Sequence, residues 1–196
     1  MQNAAGKARW DEAMSGWRSG FMPAPEQLCR QRSRLLALRG QRLRAGAVTW
    51  DPAMDRWQPA GPVVLRFDRG DRLEIAWQGW DDLSITWNTV DLTTPPVITG
   101  RPHEWRSSVP PALAAVEGRI LTGWAVTEDP YFPGGTDLTG ELPMDAVAGW
   151  VMQGLLIRFG GSDLHVHAGA DTTLVSAGCT ESTTRVAHHG LVPDAA

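Results

Sequence analysis

Two stretches of this chain match two later stretches in the same order, so any fold it adopts has to build the same local structure twice. LRGQRLRAGAVTWD, from Leu38, aligns with VEGRILTGWAVTED, from Val116, at a constant shift of 78. Gly40 falls on Gly118, Leu43 on Leu121, Ala47 on Ala125, Val48 on Val126, Thr49 on Thr127 and Asp51 on Asp129. VVLRFDRGDRLEIAWQGWDDLSI, from Val63, then aligns with LLIRFGGSDLHVHAGADTTLV, from Leu155. Here Leu65 falls on Ile157, Arg66 on Arg158, Phe67 on Phe159, Leu73 on Leu164, Ile75 on Val166, Gly79 on Gly169 and Asp81 on Asp171, with the shift falling from 92 to 90. Turns of slightly different length produce such a drift.

Each copy reads as a short helix, a glycine, a strand, a variable loop and three more strands. PEQLCRQRSRLLAL carries Leu28, Leu35, Leu36 and Leu38 at roughly helical spacing. In the second copy Pro110–Glu117 follows Ser107 and Ser108, which are candidate caps. Gly40 and Gly118 stand where a helix hands over to extended chain, a position that favours positive φ. Val63, Leu65 and Phe67 alternate with Val64 and Arg66, and Leu155, Ile157 and Phe159 repeat this against Leu156 and Arg158. Short Gly/Asp turns join the strands, which predicts antiparallel hairpins. The expected fold is therefore mainly β with short helices (α+β): two tandem helix–β–β–β–β units in antiparallel sheets, arranged as a sandwich or barrel. It forms a single duplicated domain, with repeat one at 24–90, a Pro-rich linker at 91–109, repeat two at 110–178 and a frayed tail at 185–196.

Composition narrows the function classes. With 42% hydrophobic and 20% charged residues, the 196-residue chain can bury a core. Cys29 and Cys179 belong to no CxxC or Cys/His cluster, which points to a reducing compartment. The first twenty residues have no apolar stretch of the secretory type, and no apolar run reaches the ~18 residues of a membrane helix. The expectation is a cytoplasmic protein with no membrane role. Residues 1–50 carry nine basic and three acidic side chains, whereas residues 51–196 carry nine and nineteen. The run Arg30–Arg44 is read as the solvated side of a helix and strand, because a net acidic body repels phosphate backbones. A nucleic-acid partner is not expected.

Searches for GxSxG, HExxH, GxxxxGK[ST] and GxGxxG patterns fail, so neither an enzyme class nor a cofactor is implied. His165-Val166-His167, followed by Asp171, is the one metal-like pattern, since alternate strand residues project from one face. Gly160, His165, His167, Asp171 and Gly178 loosely resemble the first metal motif of cupins. They depart from it in spacing and in having Asp for Glu, and no second motif follows. The repeat argues for a wet face here, because His165 and His167 take the positions of Glu74 and Ala76. A metal- or small-ligand-binding barrel using His165, His167 and Asp171 stays as the alternative reading. Trp77 and Trp87 fall on the inward register, while Trp80, beside Gly79, is expected to be exposed. Glu128 and Asp129 are strand neighbours that face opposite ways, which is poor for shared acid–base work.

The copies differ most between their first and second strands. Copy one uses about ten residues (Pro52–Gly61) and copy two roughly two dozen (Pro130–Gln153); the interval between Arg119 and Arg158 holds Glu128, Asp129, Asp137, Glu141 and Asp145 and no Lys or Arg. A long loop on a rigid scaffold is a usual home for function. The repeating unit of helix, Gly, strand, Ile-Arg-Phe hairpin and Leu-Val-Ser strand resembles units in small uncharacterised bacterial immunity-type β-repeat proteins, some of them encoded beside polymorphic toxins. That resemblance implies a protein-binding module that neutralises a cognate toxin. The expected contacts are Tyr131, Asp137, Glu141 and Asp145, with Phe132 or Trp150 as anchors and Trp80 as a second site.

Overall fold

The computed structural model of the chain describes residues 13–133, 144–169, 171–179, 184–189 and 191. A two-residue strand β1 (Met22–Pro23) leads into helix α1 (Ala24–Ala37). Pro25 sits in its first turn with Glu26, and Arg34 lies in the last, as the helix dipole favours. Strands β2 (Leu43–Asp51), β3 (Arg56–Trp57), β4 (Val63–Phe67), β5 (Arg72–Gln78) and β6 (Asp82–Trp87) follow. A small β7–β8 hairpin (Val97–Ile98, Arg101–Pro102), β9 (Glu104–Ser107) and the one-turn helix α2 (Pro111–Ala114) come next. The chain then forms β10 (Leu121–Tyr131), β11 (Gly149–Phe159), β12 (Ser162–Gly169), β13 (Thr172–Ala177) and β14 (Arg185–Ala187).

The larger sheet has the order β1-β6-β5-β4-β2-β3, with β9 on the other edge of β2; the second has the order β13-β12-β11-β10-β14. All pairings are antiparallel, and the sheets do not close into a barrel. The two sheets share their register. Leu43 lies opposite Phe67, and a bulge precedes the pairs Ala45–Arg66, Gly46–Leu65 and Ala47–Val64. Leu121 lies opposite Phe159, and a bulge precedes Gly123–Arg158, Trp124–Ile157 and Ala125–Leu156.

Where the two sheets meet, the contacts are reciprocal. Gly40 N donates to Leu121 O and Gly118 N to Leu43 O, both at 2.8 Å. Leu43 N donates to Arg119 O and Leu121 N to Gln41 O, both at 2.9 Å. An antiparallel bridge between Arg42 and Ile120 lies at the centre. Gly40 and Gly118 have φ of +83° and +77°, the conformation this handover requires.

One core joins both sheets to α1. Leu65, Phe67, Leu73, Ile75, Trp77 and Trp87 pack in the same cluster as Leu155, Ile157, Phe159, Leu164 and Val166, with Leu28 and Leu35 of the helix. The Trp124 indole donates to the Leu35 carbonyl at 3.0 Å, an oxygen in the last turn of the helix that also accepts from the Leu38 amide at 3.2 Å.

Several expectations change at this level. The face of the larger sheet opposite the core is not wet. Met14, Trp17, Val90 and Ile98 cover Ala47, Val64 and Ala76 in a second apolar cluster, and Glu74 is fully buried there. Its carboxylate accepts from the Thr86 hydroxyl at 2.6 Å, the Thr89 amide at 2.7 Å, the Val90 amide at 2.8 Å and the Thr89 hydroxyl. Alternation alone misses this, because it counts strands and not the segments that later fold over them. The expected linker 91–109 contains β9, which runs along β2 from Ala47 to Trp50. The expected frayed tail contains β14, which pairs Val126 with Ala187, Thr127 with Val186 and Glu128 with Arg185, and Leu191 is buried in the main core. Ser107 and Ser108 do not cap α2; the N-cap is Pro110, and the Ser108 hydroxyl donates to Glu117.

Candidate functional site

The segment expected to be a loop begins and ends as sheet. β10 and β11 stay paired out to Pro130–Trp150 and Tyr131–Gly149, so together they form a projecting arm. Pro130 and Gln153 are strand residues, and only 132–148 connects the strands. Tyr131 is 53% exposed at the end of β10, and Asp145 is exposed in a 3-10 turn, Met144–Ala146. Phe132 is half-buried. Asp137 and Glu141 lie outside the described residues. The Arg185 guanidinium stacks over the half-buried Trp150 ring, 4.3 Å from its centre, and pairs with Glu128. Trp80 is 74% exposed. The Gly79 amide beside it donates to Asp171 at 3.0 Å, in the β12–β13 turn. The β11–β12 register puts that turn at the end of the sheet from which the arm projects. Tyr131, Asp145 and Trp80 thus face the same end.

Glu128 and Asp129 point to opposite faces, as strand geometry demands. Glu128 is buried against Arg185 and His189, while Asp129 accepts from the Thr184 hydroxyl. The basic run is largely engaged within the fold. Arg30 pairs with Glu26, Arg34 stacks on Trp87, and Arg39 and Arg42 donate to the Thr122 and Gly118 carbonyls.

At the root of the arm, on the face opposite the main core, Thr127, Asp129, Gln153, His165, His167, Ala168, Leu174 and Thr184 line a cavity of about 240 Å³. Gly154 makes it possible. A Cβ there would come within 2.3 Å of the His165 ring nitrogen and 2.4 Å of the Thr127 hydroxyl. Without one, the imidazole lies across β11 and its Nε2 hydrogen-bonds Thr127 at 2.8 Å. The rings of His165 and His167 stack, with centroids 4.4 Å apart and planes 15° from parallel.

The face expected to be wet is therefore partly covered: His165 is 8% exposed. The metal alternative is not assembled. Asp171 is turned away to Gly79, and stacked imidazoles direct their in-plane lone pairs side by side instead of converging on one ion. Among the described residues no three His, Cys, Asp or Glu side chains gather as a metal site. Thr127, Gln153, Leu174 and Thr184 were not legible as site residues, because β10, β11, β13 and the residue before β14 contribute them. The glycine interrupting the apolar run of β11 was the available signal, since glycine inside a strand often marks a close approach.

Burial, and next the neighbouring His167, push the His165 pKa from 6.5 down to about 3. An unfolded imidazole protonates near 6.5, whereas the folded one stays neutral to about 3, so the unfolded state binds the extra proton in that window. Stability is then full above about pH 6.5 and falls with falling pH, by about 1.4 kcal/mol per unit for this group. Urea melts between pH 7.5 and 5 should show a shallower slope for His165→Gln than for the wild type. Equal slopes would remove His165 as the source.

Comparison of the chain with protein-family models, with curated proteins and with solved structures finds no match.

Proposed function

We propose that this chain is a protein-binding module, and that its contact surface is the end of the molecule bearing the β10–β11 arm. The observation that carries this reading is the arm itself. An eleven-residue strand pair projects an exposed Tyr131 and an exposed Asp145, with Trp150 held behind them by Arg185. Exposed aromatic side chains backed by fixed neighbours are the groups that dominate protein interfaces. The acidic balance of 120–157 favours a basic partner and would speed its approach. A bacterial toxin with a basic nucleic-acid cleft fits that chemistry, as the resemblance to immunity-type proteins implies, and places the pair in the cytoplasm.

The scaffold beneath is, in this proposal, a duplicated unit. The matched registers and reciprocal bonds at Arg42 and Ile120 support it. So does the strand on the other edge of β2 and of β10: β9 meets Val48–Trp50 as β14 meets Val126–Glu128. The units then span about 24–107 and 110–187.

Replacing 132–148 by Asn-Gly closes the arm with a two-residue hairpin turn. The trimmed protein should melt within a few degrees of the wild type and lose retention of its partner from host lysate or of the neighbouring gene's product. Undiminished retention by a folded trimmed protein would remove the arm from the interface.

A further inference from the structure

We propose that the cavity at the root of the arm is a receptor for an arginine side chain of the partner. This deepens the protein-binding reading and rests on it.

The cavity has the groups a guanidinium requires. Asp129 is the one carboxylate in its lining among the described residues. One of its oxygens already accepts from Thr184, which fixes the carboxylate and leaves the second oxygen to accept from an N–H. Gln153 and the hydroxyls of Thr127 and Thr184 add acceptors around it. The stacked His165–His167 pair supplies flat π surface of the kind on which planar guanidinium groups lie, whereas a lysine ammonium has no plane to match. Leu174 and Ala168 line the remaining wall, suited to the methylenes that precede an arginine head group. About 240 Å³ accommodates such a side chain but not a larger cofactor.

Charge works in the same direction. His165 stays neutral at physiological pH, so it does not oppose a cation. Arg185, next in the chain to the lining residue Thr184, is held by Glu128 against Trp150. Neighbours on β10 alternate faces, so Glu128 is spent on the chain's own C-terminal strand while Asp129 faces the cavity.

The same position in the other half shows what the site would look like without a receptor role. There Glu74 replaces His165, Ala76 replaces His167, and the chain's own Met14 and Trp17 cover the face. The Trp17 indole donates to Thr86 at 3.0 Å, which in turn donates to Glu74. One half covers this face with its own side chains, and the other has a polar cavity beside the projecting arm.

The test is a titration of the full chain with Nα-acetyl-arginine methylamide, followed by the ring ¹H–¹³C signals of the histidines. His165 and His167 should shift saturably, with a dissociation constant on the order of 1–10 mM for so small a ligand. Asp129→Asn keeps an acceptor for Thr184 but loses the charge, and it should weaken the response at least about tenfold. Nα-acetyl-lysine methylamide should shift these signals far less. No shift, an equal lysine response, or an undiminished response in Asp129→Asn each overturns the proposal. Partner retention separates it from the reading beneath. If Asp129→Asn holds the partner at full strength while the arm-trimmed protein does not, the arm stands and the arginine receptor fails. If the arginine amide binds as described but trimming leaves retention unchanged, the receptor chemistry stands and the arm reading fails.

Discussion

Phe159→Ala should lower the unfolding free energy by about 3–5 kcal/mol, and Phe67→Ala by a similar amount. Both rings are almost wholly buried, at 1% and 3% exposure. Each sits opposite the first residue of its partner strand, Leu121 or Leu43, beside the bulge that follows that leucine. These leucines are the residues that exchange hydrogen bonds between the two halves. A cavity there opens beneath the junction of both sheets, where neighbours tied by backbone bonds have little room to collapse into it. Urea unfolding of the two variants measures the loss. A value under about 1 kcal/mol for either would mean that the ring does not occupy the core position its register assigns.

Glu74→Ala should be as costly, about 3–5 kcal/mol, although no apolar contact explains it. The variant deprives two hydroxyls and two amides of a fully buried acceptor, and Arg72 of its carboxylate partner. Each buried donor left unpaired costs about 1–3 kcal/mol. Glu74→Gln should fall between, because its amide oxygen still accepts while its NH₂ meets donors. The amides of Thr89 and Val90 should lose hydrogen-exchange protection in Glu74→Ala before the core strands do, since the carboxylate fixes the segment that covers the sheet. If Glu74→Ala unfolds at the wild-type urea midpoint, the carboxylate is not the anchor of that segment.

The same two positions show what could be read from the chain and what could not. The Ile-Arg-Phe and Leu-Arg-Phe alternation placed Phe67 and Phe159 correctly, because a strand's side chains alternate by covalent geometry and one face of each hairpin has to be buried. Trp80 was legible for the same kind of reason: it follows Gly79, which turns the chain at φ +61°, and its ring has no sheet face to lie on. Glu74 was misread. Its fate depends on Met14, Trp17 and Val90, which arrive from distant parts of the chain, and periodicity within β5 carries no information about them. His165 was misread with it, being reasoned from Glu74 by analogy.

Local sequence therefore determined the hairpin strands β4–β6 and β11–β13, their order and the apolar face each presents. All three follow from φ preferences, turn residues and alternation over a few residues, whereas β9 and β14 were not legible in it. The tertiary structure alone decided which outer faces are covered, which acids are neutralised and where a cavity is left. Glu128 and Asp129 are adjacent in the chain and both carry a carboxyl group. One is buried against Arg185 and His189 and the other faces a cavity, because β14 returns from more than fifty residues away to pair with β10. Such a contact is set by loop closure and packing of the whole chain, and no window of sequence around either residue contains it.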